Sequence, residues 1–461
     1  MNVFVIALRN LQRNRRRSLA TVMAMVVGLV AMLLFGGYSR NAVLGMETGY
    51  VQLHGHLQIQ RQGYFLYGSG NPAAYGIAGY REMMAAIKGD PVLAPMLAVV
   101  TPKLQLGGIA GNFAAGVSTN VIASGIEPAD QNRMRAWDDY GASAAMQSVP
   151  LTGTAVESAL IGTGVARMLQ LCTPLKVENC PQPPTRVHDG NDMPADLAAL
   201  SAGDARPGDG APASAIEMLA TNAHGVPNVA RLNVVSAKNM GLKEFDDVAM
   251  VMHLDQAQRL VYGSEAPQVT AIQLQLQHST QIPAARARLT WLLSTRFKQA
   301  QVEVLDFRTL APIYEQTIEF FDSVFGFISV LIGTIVLFTV GNTMSAAVLE
   351  RTAEIGTLRA IGQRRAGVRT QFVSEAALLG LIGAALGTVM ALLLAWAINH
   401  GGLTWTPPGY VYAYPLRVRV WGDNGLMAGS ALALVVIALL SAWWPAHRGA
   451  RLQIVDALRH V

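Results

Sequence analysis

Few side chains in this sequence sit at a spacing that chemistry could use. His54 and His56 fall on one face of a strand-like stretch, as two metal ligands could, but no further ligand accompanies them and no metal site is expected. Cys172 and Cys180 are the only cysteines and have no paired histidines nearby, which argues against zinc. In an oxidising compartment they would close a small disulfide loop; otherwise they would remain two thiols. Gly162-Thr163-Gly164 lacks the third glycine of a dinucleotide fingerprint and reads as a turn. There is no Gly-Lys pair, and therefore no Walker A loop to cradle the phosphates of ATP. Neither HExxH nor GxSxG occurs, so no catalytic residue and no cofactor are assigned to this chain.

One segment stands out for a different reason: Glu350-Arg351-Thr352-Ala353-Glu354-Ile355-Gly356-Thr357-Leu358-Arg359-Ala360-Ile361-Gly362. It is a short charged stretch between two apolar runs, far too small to be a catalytic domain. Ile355, Leu358 and Ile361 share one stripe of a helix, with charges around it. Such a helix suits a groove on a soluble protein, and it equally suits an amphipathic loop on lipid headgroups.

The elements that must position this segment are set by composition. Of 461 residues, 51% are hydrophobic and only 14% charged, whereas soluble domains carry about a quarter charged residues. Four runs, residues 18–38, 322–347, 371–398 and 425–444, reach the roughly 20 apolar residues that a membrane-crossing helix needs. The first follows Arg9, Arg13, Arg15, Arg16 and Arg17 and reads as a retained signal anchor. Residues 349–370 carry five Arg against Glu350 and Glu354, and residues 445–461 carry Arg448, Arg451 and Arg459 against Asp456. These three basic stretches fall on one side of a four-span topology, which places that side in the cytoplasm. The net charge of +5 is thereby explained without nucleic acid.

The expected fold is a membrane protein of four transmembrane α-helices. A large mixed α/β extracytoplasmic domain, residues 39–320, lies between the first and second spans. Residues 1–17 read as an amphipathic helix on the cytoplasmic surface, with Phe4, Ala7, Leu8 and Leu11 on one face. Within the large domain, Val51, Leu53, Leu57 and Ile59 alternate with Gln52, His54, Gln58 and Gln60, which is strand periodicity, and Ile272, Leu274 and Leu276 alternate likewise. Residues 80–88 and 282–300 read as helices. Residues 172–228 form a Pro- and Gly-rich insertion, with short helices near 195–200 and 213–219. From Thr309 a helical pattern runs into the second span. In the third span Gly383 and Gly387 make a GxxxG spacing, which serves packing within the chain or dimerisation. Glu375 near the end of that span would need a basic partner, Arg369 or Arg351, or else a place at headgroup level. Residues 399–424 form an external loop and 445–461 a cytoplasmic tail.

The same segments resemble the MacB/FtsX family of ABC-transporter permeases. Asn342-Thr343-Met344, Glu350-Arg351, Glu354-Ile355-Gly356 and Leu358-Arg359-Ala360-Ile361-Gly362 look like that family's hallmark. Gln371-Phe372 with Glu375, and Pro445-Ala446 with Ala450-Arg451-Leu452 and Ala457-Leu458-Arg459, are similar to its third span and its ending. In the large domain, Gly125-Ile126-Glu127-Pro128 resembles a turn of that family, and Gly55-His56-Leu57-Gln58-Ile59 resembles the lipoprotein-releasing LolC/LolE-like branch most. The Pro-rich insertion departs from the common pattern, and MacB's fused ATPase has no counterpart here.

The resemblance implies a permease subunit in a bacterial inner membrane, homodimeric or heterodimeric, working with two copies of a cytoplasmic ABC ATPase that binds ATP and Mg. Residues 349–362 would be the coupling helix, with Glu350, Arg351, Glu354, Ile355, Gly356, Leu358, Arg359, Ile361 and Gly362 making the joint. ATP-driven closure would move the periplasmic domain by mechanotransmission and extract or move a lipidated substrate such as a lipoprotein. The alternatives are an FtsX-like regulator of a periplasmic partner and a MacB-like efflux permease with an adaptor.

Overall fold

The computed structural model describes residues 9, 10, 13, 15–141, 147–178, 180, 213–406 and 413–453. Among them are nine helices of eight residues or more. These are α1 (Arg15–His54), α2 (Tyr80–Lys88), α3 (Pro128–Arg135), α4 (Leu254–Tyr262), α5 (Ile282–Arg296), α6 (Pro312–Glu350), α7 (Thr352–Ala360), α8 (Arg365–His400) and α9 (Asn424–Ala450). The chain divides into two compact units: one of residues up to Leu44 with most of the chain after Ile313, the other built from Gly45–Pro312.

The first unit is helical. α1, α6, α8 and α9 are each long and apolar enough to cross a membrane. They contain the runs 18–38, 322–347, 371–398 and 425–444. Their shared core holds Met25, Leu29 and Leu33 of α1, Val336 and Val340 of α6, Leu379 and Ala391 of α8, and Leu434 and Ala438 of α9. Gly383 and Gly387 pack within the chain: a Cβ at Gly383 would lie 2.9 Å from the Met25 Cβ, and one at Gly387 3.0 Å from the Leu29 Cβ. The GxxxG stripe is therefore where α8 approaches α1. In the 399–424 loop a two-residue pair, β10 (Thr404–Trp405) with β11 (Tyr414–Pro415), closes antiparallel.

The second unit is built on one nine-stranded sheet. Its strands are β1 (Leu57–Arg61), β2 (Leu97–Asn112), β3 (Val117–Ile126), β4 (Ser158–Gly162), β5 (Ala215–Thr221), β6 (Pro227–Lys238), β7 (Ala249–His253), β8 (Ala271–Leu276) and β9 (Val302–Asp306). The order β3-β7-β4-β6-β5-β2 returns to β3 through a β2–β3 pairing, closing a ring of six strands, while β8, β1 and β9 extend outward from β2. The 16 residues of β2 make this possible: residues 97–103 pair with β8, and residues 103–112 and 108–111 pair with β3 and β5. Leu57, Ile59, Leu104, Ala123, Ile161, Met218, Val234, Met250 and Ile272 lie in its continuous core.

Several local expectations change. Val51–His54 are the last turn of α1, and the strand starts only at Leu57. The apolar–polar alternation misled there because this helix end is covered on several sides, so Val51 and Gln52 are both buried. Residues 215–221 are a strand where 213–219 read as helix; Ile216, Met218 and Ala220 point inward between β2 and β6. The helix that leads into the second span begins at Pro312, after a separate turn, Phe307–Leu310. Most of residues 1–17, the 195–200 helix and the Ala457-Leu458-Arg459 motif lie outside the described residues. Gly162-Thr163-Gly164 opens a short helix, Thr163–Met168, whose first N–H groups donate to the Asp246 carboxylate: Thr163 N at 2.9 Å and Gly164 N at 2.8 Å. The chain's own acid thus fills the place an anion would take. Cys172 and Cys180 form a disulfide.

Candidate functional site: a charged cluster around residues 350–362

α6 ends at Glu350, Arg351 breaks the helix, and α7 runs from Thr352 to Ala360 before Gly362, at φ +101°, turns the chain toward α8. The break brings Arg351 back over α8. Its Nη1 donates to Glu375 Oε1 at 2.9 Å and its Nε to Glu354 Oε2 at 3.0 Å, with the guanidinium 5.3 Å from the Phe372 ring centre. The Arg351 and Glu375 side chains are 9% and 4% exposed, so each neutralises a charge that burial would otherwise strongly disfavour. Of the two candidate partners for Glu375, Arg351 is the one in contact; Arg369 lies over the Trp443 ring at 4.8 Å.

The N-terminal segment completes the cluster. Asn10 Nδ2 donates to Glu375 Oε1 at 2.6 Å, Arg13 Nη2 to Glu354 Oε1 at 2.7 Å, and Arg17 Nη1 to Glu350 Oε2 at 2.9 Å. Thr21 and Thr343 hydroxyls meet at 2.8 Å one turn further on. Sequence reasoning missed these residues as part of the site. The signal was present: Arg13 and Arg17 are four apart, as are Glu354 and Glu350, which matches two antiparallel pairs.

The exposed surface of this segment differs from the expected stripe. Ile355 is buried with Val348, Val368, Phe372, Ala446 and Ala450, and Gly356 is buried beside it. Arg359 Nη1 donates to Leu452 O at 2.5 Å, two residues past the end of α9. Leu358 is half-buried. Ala353, Thr357, Ala360, Ile361 and Gly362 are exposed, Ile361 at 77%. Periodicity found the apolar face of α7 but could not tell that Ile355 faces its own core. What remains outward is a ridge of small and apolar residues with the half-exposed Glu354 beside it, held in place by ion pairs, an arrangement able to bind a protein surface. Among the described residues no three His, Cys, Asp or Glu side chains gather as a metal site.

Residues 326–454 match the FtsX-like permease C-terminal family model. An uncharacterised ABC transporter permease of Methanocaldococcus jannaschii is 27% identical over 217 residues, 46% of this chain and 51% of its own. The macrolide export ATP-binding/permease protein MacB of Escherichia coli K12 is 33% identical over 178 residues, 38% of this chain and 25% of its own. The lipoprotein-releasing system transmembrane protein LolC of Neisseria meningitidis is 27% identical over 251 residues, 52% of this chain and 58% of its own. Residues 326–454 are therefore an FtsX-like permease domain, and parts of the chain are similar to MacB and LolC permeases. The chain spans from a quarter to under three-fifths of the length of these relatives.

Proposed function

We propose that this chain is the membrane subunit of an ABC transporter and leaves ATP hydrolysis to a separate ATPase. α1, α6, α8 and α9 would cross a bacterial inner membrane, with both chain ends and α7 in the cytoplasm and the second unit in the periplasm. The arginines flanking the helices support that orientation. Two ATPase copies carrying ATP and Mg would seat against the α7 ridges of a permease dimer. Arg351, Glu354 and Arg13 would carry the push from α7 into α6, α8 and the N-terminal segment.

The observation that carries this reading is the anchoring of α7: an exposed ridge on a short helix whose Glu354 pairs with Arg351, itself bound to Glu375 of α8, and with Arg13 of the N-terminal segment. A loop lying on lipid headgroups would gain nothing from a buried arginine–glutamate pair behind it. A lipidated substrate such as a lipoprotein is favoured because the LolC match covers the largest share of this chain among the three relatives.

Native purification from membranes followed by mass spectrometry of proteins and lipids tests the reading. An ABC ATPase together with a lipoprotein supports it. An adaptor in place of the lipoprotein would point to efflux, and a cell-wall hydrolase to regulation. Absence of any ATPase would overturn the proposal.

A further inference from the structure

The last four carbonyls of an α-helix have no partner within it. In α1 they belong to Val51, Gln52, Leu53 and His54; Val51 O accepts from Gly55 N at 2.9 Å, and within the second unit each of the four also accepts from a glutamine side chain. Gln275 Nε2 donates to Val51 O at 3.3 Å, and Gln131 Nε2 to Gln52 O at 3.1 Å. Gln273 Nε2 donates to Leu53 O at 3.4 Å, and Gln58 Nε2 to His54 O at 3.1 Å. Gln275 also reaches Met134 O at 2.9 Å, in the last turn of α3, and Gln52 Nε2 donates to Trp137 O at 2.7 Å just beyond it.

The donors come from three elements that share this surface. Gln58 and Gln273 stand opposite each other in the β1–β8 register, Gln275 is two residues along the same face, and Gln131 approaches from α3. All four are nearly inaccessible, from 0% to 5% exposed. Buried amides are unfavourable unless hydrogen-bonded, and apolar side chains would pack a helix on a sheet without that cost. The opposite face of the same strands is apolar: Leu57, Ile59, Ile272, Leu274 and Leu276. What glutamine adds is direction, because its N–H groups fix the position of the carbonyls they meet. Beyond the grip, Gly55 at φ +77° turns the chain so closely that a Cβ would lie 2.6 Å from Leu274 O.

We infer that Gln58, Gln131, Gln273 and Gln275 are positioning residues that grip the end of α1, making it the element through which motion enters the nine-stranded sheet. The inference rests on the permease reading for its purpose, but the grip is testable without it. Gln273→Met with Gln275→Met keeps side-chain length and removes two donors. In the full chain, hydrogen–deuterium exchange of the residue 51–55 amides becomes about ten-fold faster, while that of β3 and β6 is unchanged. Unchanged exchange at 51–55 overturns the grip. If the double variant does not accumulate, Gln131→Met removes the donor from the other side and is judged by the same readout. In the complex with its co-purified ATPase, a non-hydrolysable ATP analogue alters exchange in β8 of the wild type, and the double variant loses that response. A variant that keeps the response overturns the transmitting role. A wild type without any response overturns it too and counts against the permease reading, with the grip judged by the first readout.

Discussion

Arg351 Nη1 lies 2.9 Å from Glu375 Oε1, joining the break after α6 to the side of α8 through a pair almost wholly out of water. The same guanidinium holds Glu354 of α7, so one side chain fixes three helices relative to one another. The break between α6 and α7 is thereby tied to α8 inside the FtsX-like permease domain.

Removing one member of a buried pair leaves the other charge uncompensated. Arg351→Ala is expected to lower the stability of the helical unit by about 3–5 kcal/mol. Glu375→Gln keeps an acceptor and leaves Arg351 its bond to Glu354, so its loss is smaller. Thermal unfolding of the detergent-solubilised chain ranks the two. By contrast Arg13→Ala and Arg17→Ala break pairs whose side chains are 37–57% exposed, and each changes stability by no more than about 1 kcal/mol.

Gly383 and Gly387 let α8 approach α1 at Met25 and Leu29. Gly387→Val overpacks that contact and is expected to destabilise by about 1–3 kcal/mol. Adding Leu29→Ala makes room and recovers part of the loss, which the same unfolding measurement detects. If the single variant is neutral, the close approach of α8 and α1 is not the reason for glycine there.

The length and apolar character of the four long helices were legible in the sequence because an 18-residue apolar run has few other uses. The need of Glu375 for a basic partner was legible too, as alternatives that only packing could separate. The strand misread at Val51 and Leu53, and the helix misread at 213–219, share a cause. Alternation reports which side chains are buried, and a helix end covered on several sides or a strand flanked by turns can give the wrong period. The ring of six strands was not legible, since it depends on β2 serving several neighbours. The contacts of Asn10 and Arg13 with Glu375 and Glu354 cross more than 300 positions of sequence.

His56 is buried: its Nδ1 accepts from Leu276 N at 3.0 Å, its Nε2 lies 3.1 Å from Ser279 Oγ, and its ring meets Trp137 edge-on. Burial pushes its pKa down to about 4 from an ordinary value of about 6.5. The unfolded chain therefore binds this proton first as pH falls. The stabilisation is full above about pH 6.5 and is lost progressively as pH drops toward 4. Denaturant unfolding of the second unit, followed by Trp137 fluorescence, is expected to weaken across that window. His56→Gln flattens the profile.

Cys172 and Cys180 close a loop of sequence separation 8. For so short a loop, reduction is expected to cost about 2–3 kcal/mol on the chain-entropy estimate. Its effect should be confined to the second unit, read as a lower unfolding temperature for that unit alone under reductant.

The most direct test of the central claim is the ridge of α7. Ile361 is 77% exposed and supports no core, so Ile361→Asp leaves the fold intact. Measured on membrane-extracted protein, this variant should lose its co-purifying ATPase or the ATPase stimulation that the wild type gives, with unchanged thermal unfolding. A variant that retains both the ATPase and its stimulation would contradict the assignment of α7 as the joint.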